Sequence, residues 1–184
     1  MWPPLALAVG ILAHFTSGNL GAQAPRDHPS MLLFARVRSA DKYMVGLIGE
    51  GYDRSSTFRE LVDFLHQTNV IVSIQPIACA GGRIRSCVVG VKGSDRERHI
   101  WIRVNPAHTI RDRLIATVAH ELQHAVEIAE HPDVIDGPSV LKLYRNIAVG
   151  PCGRGVSEEC ETTRALAAEE RVLVELSKKR SRHE

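Results

Sequence analysis

The chain has 184 residues, 44% hydrophobic and 24% charged, ordinary proportions for a globular protein and a length suited to one domain. Its formal net charge of only +2 argues against a dedicated polyanion binder, so no nucleic-acid partner is expected.

Residues 1–24 carry no Asp, Glu, Lys or Arg. Leu5 to Phe15 form an apolar run, Thr16-Ser17-Gly18-Asn19 interrupt it, and Ala22-Gln23-Ala24 offers a cleavage site near residues 22–24, the outline of a secretory signal. The n-region lacks a basic residue, and the run falls short of the roughly 20 residues that span a bilayer. Left uncleaved, residues 5–15 would be a buried helix or a membrane anchor; cleaved, they leave a secreted or periplasmic domain at 25–184 with no stable membrane insertion. Cysteine usage agrees with export. Cys79, Cys87, Cys152 and Cys160 form two close pairs without C-x-x-C spacing, and short loops close most easily, so Cys79–Cys87 and Cys152–Cys160 are the favoured disulfides.

Leu32 to Val37 reads equally as strand or helix, and Gly46 to Tyr52 as loop. Thr57-x-x-Glu60 has the form of a capping box, and Phe58, Leu61, Val62 and Leu65 follow at helical spacing to about Gln67. Val70 to Ile74 and Ser86 to Val91 are β-branched and read as strands flanking a Gly81-Gly82 turn region. His99 to Val104 alternates strictly: Ile100, Ile102 and Val104 share one face, His99, Trp101 and Arg103 the other.

A long helix is expected from Thr109, capped through Thr109-x-x-Asp112, to about Glu130, where Pro132 ends it. Leu114, Val118, Leu122, Ala125 and Val126 make its apolar face. On the opposite side lies His120-Glu121-Leu122-Gln123-His124. Residues i and i+4 share a helix face, so the two imidazoles can converge on one metal ion, with Glu121 about 100° round the axis where it reaches a metal-held water. The plain alternative is the wet side of an amphipathic helix. Against it, Thr117-Val118-Ala119, Leu122-Gln123 and Ala125-Val126 leave the motif flanked by uncharged residues.

A catalytic zinc takes three protein ligands and a water. Glu127 shares the face but lies too far along the axis from His120 to join it, and reads as an orienting neighbour. Asp136-Gly137-Pro138 opens a helix at Ser139–Ile147, Gly150-Pro151-Cys152-Gly153 breaks it, and a last helix runs from about Glu158 to Leu176. Glu161, on a stripe with the small residues Ala165 and Ala168, is the leading third ligand, and Glu158 the next. Tyr144 and His131 are candidate donors to a developing oxyanion. The basic tail Lys178 to Arg182 reads as a solvated helix end.

The motif with its uncharged flanks resembles the zincin metallopeptidases. Metzincins carry Gly three residues after the second His and a ligand at six, positions held here by Glu127 and Glu130; the likeness is to the gluzincin branch. The resemblance implies an α+β domain, a twisted sheet of about three or more strands packed on the His-Glu-x-x-His helix, with C-terminal helices supplying the third ligand. It implies Zn2+ held by His120, His124 and Glu161, Glu121 as general base, and a polypeptide substrate paired to a sheet edge, for which the His99–Val104 strand is the candidate. Many gluzincins have an acidic residue four after the ligand Glu to orient a His; here that position is Ala165. The resulting expectation is a secreted zinc metallopeptidase. The alternative is a non-catalytic exported zinc-binding or interaction domain of the same fold.

Overall fold

The computed structural model describes residues 35–79, 85–150, 152 and 160–180. They form an α+β domain with a four-stranded mixed sheet and five helices: β1 (Val37–Arg38), α1 (Lys42–Arg54), α2 (Ser56–His66), β2 (Val70–Gln75), β3 (Ser86–Gly93), β4 (Arg98–Val104), α3 (Arg111–Ala129), α4 (Gly137–Ile147) and α5 (Thr163–Arg180). The expected signal, the first part of the Leu32–Val37 segment, the Gly81-Gly82 turn and Glu158 lie outside the described residues. No described helix is long and apolar enough to cross a membrane.

The sheet runs β1-β2-β4-β3, with β1, β2 and β4 parallel and β3 antiparallel to β4. Alternation in β4 works as expected: Ile100, Ile102 and Val104 are fully buried, while His99, Trp101 and Arg103 are partly exposed on the other face. Strand β4 is nevertheless an interior strand, hydrogen-bonded on both sides, so it has no free edge for a peptide. That expectation is corrected: the edge strands are β1 and, beside β4, β3. The return of β3 into β4 requires Gly93, where a Cβ would lie 2.3 Å from the Glu97 carbonyl oxygen.

The loop expected at Gly46–Tyr52 is instead the body of α1. Met44, Leu47, Ile48 and Gly51 are buried at helical spacing, and Asp41 caps the helix by accepting from Met44 N at 2.9 Å. Its glycines look like breakers in sequence, yet Gly51 is where the helix comes closest to its neighbours. A Cβ there would meet the Phe58 ring at 2.8 Å. Two other expected caps also move. Ser55, not Thr57, caps α2, and Thr57 bonds to Glu175 of α5; α3 begins at Arg111 after Ile110, with the Thr109 hydroxyl turned to the Ala107 carbonyl. The Asp136 start of α4 holds, with a reciprocal Asp136–Ser139 capping box.

Every residue of α3 from Leu114 to Ile128 is buried. The sheet side is lined by β-branched strand residues; α5 packs along the helix with Ala165, Ala168, Val172 and Leu176, all fully buried, and small residues let the two backbones approach. At the C-terminal end of α3 the buried Arg98 donates to the carbonyls of Ile128 (2.9 Å), Ala129 (3.1 Å), His131 (2.8 Å) and Val134 (3.2 Å) and to Asn69 Oδ1. One guanidinium thereby satisfies carbonyls that helix geometry leaves without partners and places a cation at the negative end of the dipole. Both expected disulfides are present, Cys79–Cys87 and Cys152–Cys160. Replacing Arg98 by Met keeps volume but leaves the Ala129 and Val134 carbonyls without their donor, while those of Ile128 and His131 keep backbone partners, so a loss of about 2–3 kcal/mol is expected. Urea unfolding is the check: the midpoint should fall with little change in slope, and an unchanged midpoint would mean that water satisfies these carbonyls equally well.

Candidate metal centre

Helix α3 brings His120 and His124 together one turn apart. Their Nε2 atoms are 3.2 Å from each other, and Glu161 Oε2 is 3.0 Å from His120 Nε2. One donor atom from each of the three residues lies within 4.8 Å of the others. Ligands at about 2.0–2.1 Å from a tetrahedral zinc stand about 3.3 Å apart, so the two shorter separations already match the edges of such a site. Two imidazoles and a carboxylate are a donor set suited to zinc. The wet-helix alternative fails, because His120 is 7% and His124 5% exposed.

Glu161 is not in a helix, contrary to expectation. It sits in the connection just before α5, between Cys160 and Thr162. Its carbonyl accepts from Val149 N at 2.7 Å, and the Cys152–Cys160 disulfide ties the chain immediately upstream. Its side chain is half-exposed, while Glu121, 3% exposed, lies beneath with Oε2 lacking a hydrogen-bond partner. A cavity of about 130 Å³ joins them, lined by His120, Glu121, Glu161, Thr117, Glu169, Arg85 and Ser86.

The imidazoles are backed by carboxylates on their far sides. His124 Nδ1 is 3.0 Å from Glu127 Oε2. His120 Nδ1 is 3.4 Å from Glu169 Oε2, close enough for charge attraction but poorly aimed for a hydrogen bond. The acidic residue missing at position 165 is thus supplied at 169. Glu169 is the i+4 neighbour of Ala165, one helical turn further along α5, on the face turned to α3. Arg85, Ser86 and Thr162 were also missed, and no local pattern marks them.

Tyr144 is fully buried and does not line the cavity. Its hydroxyl donates to the His124 carbonyl at 3.3 Å and its ring meets the His124 ring edge-on, so it braces the ligand helix rather than facing a substrate. His131 likewise donates from Nδ1 to the Glu127 carbonyl at 2.8 Å, away from the cavity.

Electrostatics follow from this crowding. Burial alone would lower the His120 pKa, but the facing carboxylates of Glu161, Glu169 and Glu121 outweigh it and push it up to about 10. The same contacts with His120 hold Glu161 and Glu169 below the usual carboxylate range. Burial pushes Glu121 upward, against the pull of the two histidines. The centre draws a positive charge, supplied by a proton or by a metal ion.

Fold and centre together define an α+β domain with a two-histidine, one-carboxylate group able to hold a metal ion. Comparison with protein-family models, with curated proteins and with solved structures gives no match to the chain, so the functional reading rests on this geometry.

Ligation requires His120 to give up its proton. With the metal-free pKa raised to about 10, each zinc ion bound near neutrality releases that proton, and apparent affinity should rise about tenfold per pH unit between about pH 7 and 9. Calorimetric titration in buffers of different ionisation enthalpy counts the proton; an affinity independent of pH would contradict ligation through His120.

Proposed function

We propose that the chain is an exported zinc-dependent peptidase, a zincin-type enzyme of the gluzincin kind, in which His120, His124 and Glu161 hold the metal and Glu121 is the general base. The observation that carries this reading is the convergence of three donor atoms beside a buried carboxylate with an unpartnered oxygen, at the wall of an open cavity. A structural zinc site is closed by four protein ligands; a catalytic one keeps a position for water. Three protein donors among the described residues fit the second kind.

When bound, zinc lowers the pKa of its water toward about 7 and polarises a substrate carbonyl. The chain's residues do the rest. Glu121 takes a proton from the attacking water and returns it to the leaving nitrogen, and burial raises its proton affinity for that task. Glu127 and Glu169 hold the imidazoles in place. Arg85, the cation among the cavity-lining side chains, can serve a developing oxyanion, since Thr117 spends its hydroxyl on the Arg113 carbonyl, Ser86 faces Glu121 and Tyr144 donates to the His124 carbonyl. Ser86, the first residue of β3, lines the cavity, and among the described residues β3 pairs with β4 alone, so an extended polypeptide can add to its outer edge. Two disulfides suit an oxidising compartment, in line with an N-terminal export signal.

Glu121→Gln preserves size and should preserve zinc content, while cleavage of an unfolded protein such as casein falls by about 10²- to 10⁴-fold. Unchanged cleavage would remove Glu121 as the base. A zinc-loaded unmutated protein that cuts nothing would be the non-catalytic alternative, and an unmutated protein that takes up no zinc would end the enzyme reading.

A further inference from the structure

His124 can offer Nε2 to a metal only if its proton sits on Nδ1, and something must hold that tautomer and ring angle. Glu127 accepts from Nδ1 at 3.0 Å, and its side chain is only 2% exposed. A glutamate has three rotatable bonds, so a second contact is needed to fix it. Thr162 provides one: its hydroxyl donates to Glu127 Oε1 at 2.7 Å. The same oxygen accepts from Ala165 N at 3.0 Å and so caps the start of α5. Thr162, 2% exposed, directly follows Glu161, whose carbonyl is tied to Val149 N.

Resting on the metal-centre reading above, we infer that Thr162 is a positioning residue for the metal: acting through Glu127, it aims His124 Nε2 at the ion. Its hydroxyl has one proton and gives it to Glu127, which leaves the oxygen lone pairs for the helix cap. Seating the first turn of α5 thereby does two things at once. It delivers Glu161 from one side and locks the orientation of His124 from the other, on a different helix.

The test is a double-mutant cycle on zinc affinity, measured by chelator competition in the full mature chain. Thr162→Val should weaken zinc binding about 10- to 100-fold, and Glu127→Ala by a similar factor. Thr162→Ser, which keeps the hydroxyl, should stay within about threefold of the unmutated protein. In the Glu127→Ala background, Thr162→Val should add little, because the group it acts through is gone. Multiplying losses would show that Thr162 is only a helix cap, and would overturn the inference. A second readout is the His124 Nδ1 proton in nitrogen-labelled, zinc-loaded protein: slowly exchanging in the unmutated chain, fast in Thr162→Val. If Thr162→Val fails to fold, Glu127→Ala still decides, since unmutated zinc affinity in that variant removes the link between Thr162 and His124. Failure of the unmutated protein to bind zinc would instead sink the metal centre itself, a separate outcome.

Discussion

Four ionisable side chains of one helix, His120, Glu121, His124 and Glu127, lie below the surface, none more than 7% exposed. Removing such groups from water costs several kcal/mol each unless partners replace the lost hydration. The surroundings of α3 are organised by that requirement. Glu161 and Glu169 arrive from the α5 side to face His120, Thr162 meets Glu127, and Tyr144 holds the backbone of the His124 turn. Without α5 and its approach segment, His120 and Glu127 would lose the partners that come from outside their own helix.

Precision in that approach comes from outside the site. The alanines of α5 set a close spacing to α3, the Cys152–Cys160 disulfide fixes the chain just before Glu161, and Glu175 near the far end of α5 accepts from Ser55, Ser56 and Thr57 at the start of α2. Helix α5 is thus held at both ends, at one by an anionic cap on another helix and at the other by the centre itself. Arg98 performs the matching task for the far end of α3, gathering the carbonyls after Ile128 so that the helix can stop inside the protein.

How much of this was legible in sequence depended on whether the signal was local. Alternation along Ile100-Trp101-Ile102-Arg103-Val104, the Asp136–Ser139 start of α4 and the close cysteine pairs are all local patterns, and each appears as read. Helix α1 is hidden in sequence because three glycines between Gly46 and Gly51 lower its helix propensity, whereas burial of Met44, Leu47 and Ile48 and the contact of Gly51 with Phe58 hold it in the fold. The inner position of β4 depends on β2 pairing with it across an intervening strand, and no window of residues contains that. At the centre, His120 and His124 were within reach because i, i+4 spacing is a periodic feature, whereas the helical stripe that pointed to Glu161 does not include it, since α5 starts only at Thr163. Glu169 and Thr162 needed the partners of side chains on another helix.

The charge balance of the centre explains why these contacts leave it responsive to a cation. Four carboxylates, of Glu121, Glu127, Glu161 and Glu169, face or flank two imidazoles. Arg113 and Arg85 offset part of the charge on Glu169, while Glu121 Oε2 has no hydrogen-bond partner. A divalent ion at the Nε2 atoms would take the place of the proton that Glu161, Glu169 and Glu121 favour on His120. Because the unfolded chain cannot assemble residues 120, 124 and 161 in one place, affinity for the ion is also stability of the fold, about 4 kcal/mol when free metal exceeds the dissociation constant a thousandfold. The arrangement that makes α3 costly to bury is therefore the same arrangement that could hold a metal ion.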